Sequence, residues 1–309
     1  MSGDIAGASQ QTLKTAIGCR GIGLHSGQKI AMTLRPAPPD TGIVFRRTGS
    51  KIEIRANWVN MVESPLCTML SDGEGFCVGT VEHLMAALAG AEIDNAIIEL
   101  GGSEVPIMDG SSAPFVFLIE CAGIVEQDAA RRAIKVLKPV SVIEGGATAA
   151  LFPDRGFSMS FEIDFENPLI RRQTLSLAFD AVTFKTLLSR ARTFGLLDEV
   201  DRLRQAGFAL GGSLDNAVVV GRDQVLNVGG LRYGDEFVRH KLLDAFGDLY
   251  LAGGPLIGRF RGIRSGHAHT RRLLAALFAD GEAWCYVPAG RLVEPERVER
   301  RDELQLAGD

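Results

Sequence analysis

Near the start of the chain, apolar and polar residues alternate through KIAMTLRP, GIVFRR and KIEIRA, and Pro, Gly and Asp clusters separate these runs. That is the pattern of half-buried strands joined by turns. The period changes at TVEHLMAALAG, residues 80–90, where apolar positions recur at helical spacing and stop at Gly90, a residue suited to a left-handed C-terminal position. Thr80 is the predicted N-cap, so Glu82 and His83 fall in the first turn, where side chains point past the helix end. NAIIEL reads as a buried strand and SSAPFVFLIECAGIV as a helix ending near Gly123. The polar stretch EQDAARR, at 126–132, precedes a new strand run, IKVLKPVSVIE. FSMSFEIDF and TLSLAF predict further strands, DAVTFKTLLSRA a helix, and HKLLDAFGDLYLAG and TRRLLAALFAD two more.

This succession predicts an α+β fold of two similar domains, each a sheet with helices packed on it. The boundary is expected in the polar stretch. Residues 1–11 then form an N-terminal extension, 12–128 the first domain, 129–295 the second and 296–309 a charged tail.

Composition narrows the class. The chain has 309 residues, 46% hydrophobic and 23% charged, an ordinary globular balance with no apolar run long enough to span a bilayer. MSGDIAGASQ carries neither a basic residue nor an apolar core, so no secretory signal is expected and a cytoplasmic location is. A net charge of −5 argues against nucleic-acid binding. Cys19, Cys67, Cys77, Cys121 and Cys285 are odd in number and contain no C-x-x-C pair, which predicts reduced thiols.

The chemistry concentrates in HKLLDAFGD, which begins at His240. His240 and Asp244 stand four apart in a helical run and share a face, so both can bind one cation. Glu82-His83 is the best source of a third ligand with an unused carboxylate beside it, the parts of a hydrolytic zinc centre. Two imidazoles and a carboxylate also make the facial triad of non-haem iron oxygenases, and a non-catalytic binding module is a further alternative. His267, in RSGHAHT, is expected in a loop leading into a helix, with Asp248 as a partner that would favour its imidazolium. His25 and His269 are expected not to be ligands. Thr193, in SRARTFG, adds a hydroxyl, and Arg190 and Arg192 are open to phosphate binding or solvent exposure. GIGLHSG, at 21–27, precedes a strand and not a helix, so it is no dinucleotide or P-loop fingerprint.

Taken in order, GIGLHSG, TVEHLMAALAG, PIMDGSSAPF, SRARTFG, DEFVRHKLLDAFGDL and SGHAHT closely resemble the UDP-3-O-acyl-N-acetylglucosamine deacetylases of lipid A biosynthesis, from about residue 12 to about residue 287. The resemblance implies a cytosolic zinc amidase whose two domains are two-layer sandwiches of sheet and paired helices, with the active site between them. Its cofactor would be Zn²⁺, with Fe²⁺ the alternative native metal. It would hydrolyse the N-acetyl amide of UDP-3-O-(3-hydroxyacyl)-N-acetylglucosamine to a free amine and acetate, the committed step of that pathway. The same resemblance implies His83, His240 and Asp244 as metal ligands and Glu82 as general base. His267, paired with Asp248, would be the acid that protonates the departing amine. Thr193 would donate to the oxyanion, and Lys241 would face the charged part of the substrate.

Substrate contacts follow from the resemblance too. Phe165, with Asp164 beside it, corresponds to an aromatic that stacks on uracil, against the plain reading of a strand-end core residue. Arg264, just before Ser265 and Gly266, is placed to meet a diphosphate. Phe194, Leu197, Val200 and Ala209 match an insert that forms an acyl channel, and Leu24, Leu66 and Cys67 would line the route near the sugar. His269 departs from an expected aliphatic residue, which leaves a second, inhibitory metal or no role. A monomer is expected, with transient contact at the inner-membrane surface.

Overall fold

The computed structural model describes residues 8–290. The predicted charged tail at 296–309 lies outside the described residues, as do 1–7 and 291–295.

Alternation in the sequence becomes one-sided burial in the structure. Lys29–Pro36 buries Ile30, Met32 and Leu34 and exposes the alternate residues Lys29 and Ala31, and it sits inside a five-stranded sheet. The strand order is Ile17–Ile22, Lys29–Pro36, Ala96–Leu100, Ile43–Arg47, Glu53–Arg55. All neighbours are antiparallel except Ile43–Arg47 with Ala96–Leu100. A larger, seven-stranded sheet is organised around Leu256–Ile263, which pairs antiparallel with Ala147–Phe152 and parallel with both Phe157–Asp164 and Arg132–Val136.

Helices cover each sheet. Helix α1 (Glu82–Gly90) lies beside α2 (Ala113–Ala122), which packs on Ile17–Ile22 of the first sheet. A single-turn α3 (Ala181–Thr183) runs into a π-helical segment at Phe184–Leu188, and a short surface helix, α4, spans Leu197–Gln205. Helices α5 (Glu236–Tyr250) and α6 (His267–Ala279) pack on each other and on the second sheet. The two halves meet where α1 runs along α5. This is the mixed α+β architecture expected.

That helix contact is unusually close because of one glycine. A Cβ on Gly247 of α5 would lie 2.0 Å from the Glu82 carbonyl oxygen and 2.9 Å from the Ala86 nitrogen. Small residues at a crossing let backbones approach, and here they bring the polar stripe of α5 against the first turn of α1. Both helices are buried around most of their circumference, His240, Asp244 and Asp248 included. Polar groups in that position require partners.

Four local expectations differ from what forms. The polar stretch at 126–132 is not a linker: Ile124–Ala130 is a strand paired antiparallel with Ser9–Leu13, so part of the supposed N-terminal extension is also strand. Thr80 is not a side-chain N-cap. It adopts φ 56° and donates its hydroxyl to Glu104 Oε1 at 3.0 Å, while Val81 takes the capping position. Gly90 is the last residue of α1 and serves close packing, since a Cβ there would sit 2.0 Å from the Phe184 ring; the left-handed residue is Glu92, at φ 56°. The run DAVTFKTLLSRA forms only the α3 turn and the π segment, which ends at Leu188.

Candidate active site

Three side chains converge at the α1–α5 crossing. His83 Nε2 lies 3.4 Å from Asp244 Oδ1, His240 Nε2 lies 3.2 Å from the same oxygen, and the two imidazoles meet edge to face with centroids 4.9 Å apart. One ligand atom from each falls within 4.8 Å of the others, and all three residues are buried. Among the described residues this is the one such group, so neither His25 nor His269 joins a second cluster.

The surroundings fix this arrangement. His240 Nδ1 donates to the Ala191 carbonyl at 3.1 Å, which leaves the Nε2 lone pair facing Asp244. Burial, reinforced by His83 and Lys241, pushes the His240 imidazole down to about 4 despite the attraction of Asp244, so it is a neutral donor at physiological pH. Asp244 Oδ2 accepts from Lys241 Nζ at 2.8 Å. Burial alone would raise the Asp244 carboxyl, but His240 and Lys241 outweigh it and hold it well below the usual carboxylate range. Lys241 remains a cation for the same reason, its own burial being overcome by Asp244. His83 is tethered through its carbonyl, which accepts from Ser112 Oγ at 2.7 Å.

The neutral His240 Nε2 lone pair and the Asp244 carboxylate oxygen it faces repel one another unless a cation lies between them. Asp244 Oδ1 is buried and has no hydrogen-bond donor. A divalent ion fits this donor set.

Beside these donors stand two groups able to move protons. Glu82 Oε2 accepts from the Thr68 N–H at 3.0 Å, and its Oε1 lies 3.7 Å from His267 Nε2. Burial pushes the Glu82 carboxyl up against the opposing pull of His267 and His83. His267 Nδ1 donates to Asp248 Oδ2 at 2.8 Å, so Nε2 faces the cleft. Burial lowers the His267 imidazole, but Asp248 and Glu82 together overcome that and raise it to about 9. His267 is the first residue of α6, not the loop residue expected.

A cleft of about 230 Å³ opens over the site. It gathers Leu24, Leu66, Phe165, Thr193, Phe194 and Lys241 around His83, His240, Asp244, Glu82 and His267, with His25 also on its wall. Phe165 stands edge-on to Phe194, centroids 5.7 Å apart, and Phe194 continues to His240 at 6.3 Å. Thr193 is fixed by its N–H, which donates to the Gly110 carbonyl at 2.7 Å.

The remaining predicted contacts lie outside that wall. Cys67 is buried and borders a small recess that His267 also lines, and Asp248 and Gly266 border a second recess beside His267. Leu197 is exposed at the start of α4 and Val200 is half-buried on it. Ala209 abuts His25, its N–H reaching Nδ1 at 3.4 Å. Asp164 is exposed and sits opposite Arg172 in the strand register. Arg264 has φ 48° and donates to the Gly146 carbonyl. All five cysteines are free thiols.

Arg192 neither faces water nor awaits a phosphate: its guanidinium and backbone N–H both donate to Glu236, whose side chain is wholly buried. Glu236 is one of two residues that sequence reasoning missed. It anchors the segment carrying Ala191 and Thr193, and its only signal was an acid one turn before His240 on the same helix. Thr68 is the other. It touches Glu82, Asp248 and His267, and nothing in SPLCTML marks it.

A buried His-His-Asp donor set beside a carboxylate and a raised imidazole defines a metalloenzyme. A family profile described as UDP-3-O-acyl N-acetylglycosamine deacetylase matches residues 10–279, and the chain belongs to that family. It is also 52% identical over 279 residues to the UDP-3-O-acyl-N-acetylglucosamine deacetylase of Marinobacter nauticus (strain ATCC 700491 / DSM 11845 / VT8), covering 89% of this chain and 91% of that protein.

Proposed function

We propose that the chain hydrolyses the N-acetyl amide of a UDP-3-O-acyl-N-acetylglucosamine, releasing acetate and a free amine for lipid A synthesis, at a site where His83, His240 and Asp244 hold a divalent ion. The ion is zinc in this reading, with ferrous iron as the alternative. The supporting observation is the convergence of His83 Nε2, His240 Nε2 and Asp244 Oδ1 beside Glu82 and His267. When bound, the metal supplies a Lewis acid that polarises a carbonyl and acidifies water.

The chain's own residues do the rest. Glu82 takes a proton from the attacking water at its carboxylate, and burial, by making it a stronger base than a solvated glutamate, suits that role. The Thr193 hydroxyl donates to the amide oxygen as negative charge gathers there, and because its backbone is already anchored it need not reorganise. His267 gives its Nε2 proton to the amine nitrogen as the C–N bond breaks, since an amine leaves poorly as an anion. Asp248 keeps the His267 ring turned and charged for that step.

Lys241 holds Asp244 and faces the charged part of the substrate. Phe165 offers aromatic surface to the nucleoside, with Asp164 and Arg264 farther along the nucleotide's path. Leu24, Leu66 and Cys67 flank the sugar, and Phe194, Leu197, Val200 and Ala209 receive the acyl chain around α4. No described helix is long and apolar enough to cross a membrane. The reading places a monomer in the cytoplasm that touches the membrane surface only to meet its acylated substrate.

Proton-transfer groups beside the donors are what hydrolysis needs and oxygen activation does not. Acetate release from the UDP-sugar, measured anaerobically on protein stripped of metal and then reloaded with zinc, tests the proposal. Turnover restored by zinc alone is expected, and Glu82→Ala should keep metal and substrate but lose about 100-fold or more in kcat. A requirement for oxygen, or acetate release indifferent to chelation, would overturn it.

A further inference from the structure

Thr68 has no role in the mechanism above, yet it contacts both proton-transfer groups. Its backbone N–H donates to Glu82 Oε2 at 3.0 Å. Its hydroxyl donates to Asp248 Oδ1 through a short bond of 2.5 Å and lies 3.0 Å from His267 Nδ1. The residue is 2% exposed, so no solvent competes for these contacts. The two Asp248 oxygens therefore serve different partners, Oδ1 accepting from the threonine hydroxyl and Oδ2 from the imidazole N–H.

Resting on the deacetylase reading, we infer that Thr68 is a positioning residue, whose hydroxyl orients the Asp248–His267 pair and limits how tightly the carboxylate grips the imidazolium. A carboxylate that already accepts a hydrogen bond carries less charge density toward its second partner. His267 is thereby kept cationic but still able to release its proton. The other charges near His267 are Glu82 on α1, Lys241 and Asp244 on α5 and, from the loop before Lys29–Pro36, His25. None of them contacts Asp248 through a hydrogen bond as Thr68 does.

The substitution Thr68→Val isolates this role, because it keeps the shape and the backbone N–H to Glu82 while deleting the hydroxyl. In the zinc-loaded enzyme kcat should fall about 10- to 100-fold, the range for losing an outer partner that orients a functional imidazole, with KM and metal content held. Nitrogen NMR of the His267 ring, which requires no turnover, should show its titration midpoint moving up by about half a unit or more. Thr68→Ser should restore both. An unmoved or lowered midpoint in Thr68→Val, or a Thr68→Ser protein as slow as Thr68→Val, overturns the inference. If the wild-type protein released no acetate, the deacetylase reading would fall, while the NMR result would still decide the role of Thr68.

Discussion

Replacing Gly247 with alanine tests whether the close α1–α5 crossing is what builds the site. The new Cβ would be generated 2.0 Å from the Glu82 carbonyl oxygen, where contacts below 3.0 Å essentially never occur, so the helices must separate by about 1 Å. Overpacking of this kind costs about 1–3 kcal/mol. Alanine in place of glycine within a helix returns about 1 kcal/mol, so net destabilisation should be about 0–2 kcal/mol. Function should suffer far more. His83 rides on α1 and His240 and Asp244 on α5, so the same displacement acts directly on the donor set, and a 1 Å misplacement near a reacting centre costs roughly 100-fold. Urea unfolding of the metal-free protein gives the first quantity, and a competition titration with a chromophoric chelator plus acetate release gives the second. A folded Gly247→Ala protein with metal affinity and kcat both within about twofold of the parent would refute the reasoning.

Further outcomes follow from the same geometry. His240→Ala should weaken metal affinity by more than the roughly 10- to 100-fold that loss of an outer partner costs, read by metal analysis after dialysis against a chelator, while far-ultraviolet circular dichroism stays unchanged. The rate should trace a bell against pH, with the acid limb set by Glu82, whose carboxyl is raised, and the alkaline limb near 9, where His267 loses its proton. Because the folded value for His267 exceeds its ordinary 6.5, the same group stabilises the fold fully below about 6.5, and that contribution disappears as pH climbs through about 9. His267→Gln should erase the alkaline limb, and a limb that stays in place would point to another group.

Much of the candidate site was legible because its side chains come in short-range pairs. His240 and Asp244 advertise themselves by helical spacing, and Glu82-His83 by its place at the start of a periodic run. What no local pattern contains is the contact between α1 and α5, which joins segments separated by about half the chain and depends on Gly247. Thr68 stayed invisible for a similar reason: its partners Asp248 and His267 lie far away in sequence, and a lone threonine beside a turn carries no period.

The errors have physical causes as well. Ile124–Ala130 looked like a linker because neither face of that strand is fully buried, so it needs no apolar alternation, only the pairing supplied by Ser9–Leu13. DAVTFKTLLSRA has helical spacing, yet Phe184 drives its ring against Gly90, and there the backbone takes up the wider π winding. At Arg192, charge in a loop suggests solvent, whereas Glu236 draws it inside.

The separation of the ligands between two helices also sets the order of events during biosynthesis. A ribosome exposes His83 well before it makes His240 and Asp244, so an unfinished chain holds His83 without the two side chains it meets in the fold. Only after the late helix docks on the early one do the three donors act together. On the proposed reading, metal capture would therefore coincide with closure of the tertiary structure, and ion uptake by refolding protein would time the docking of α5 on α1.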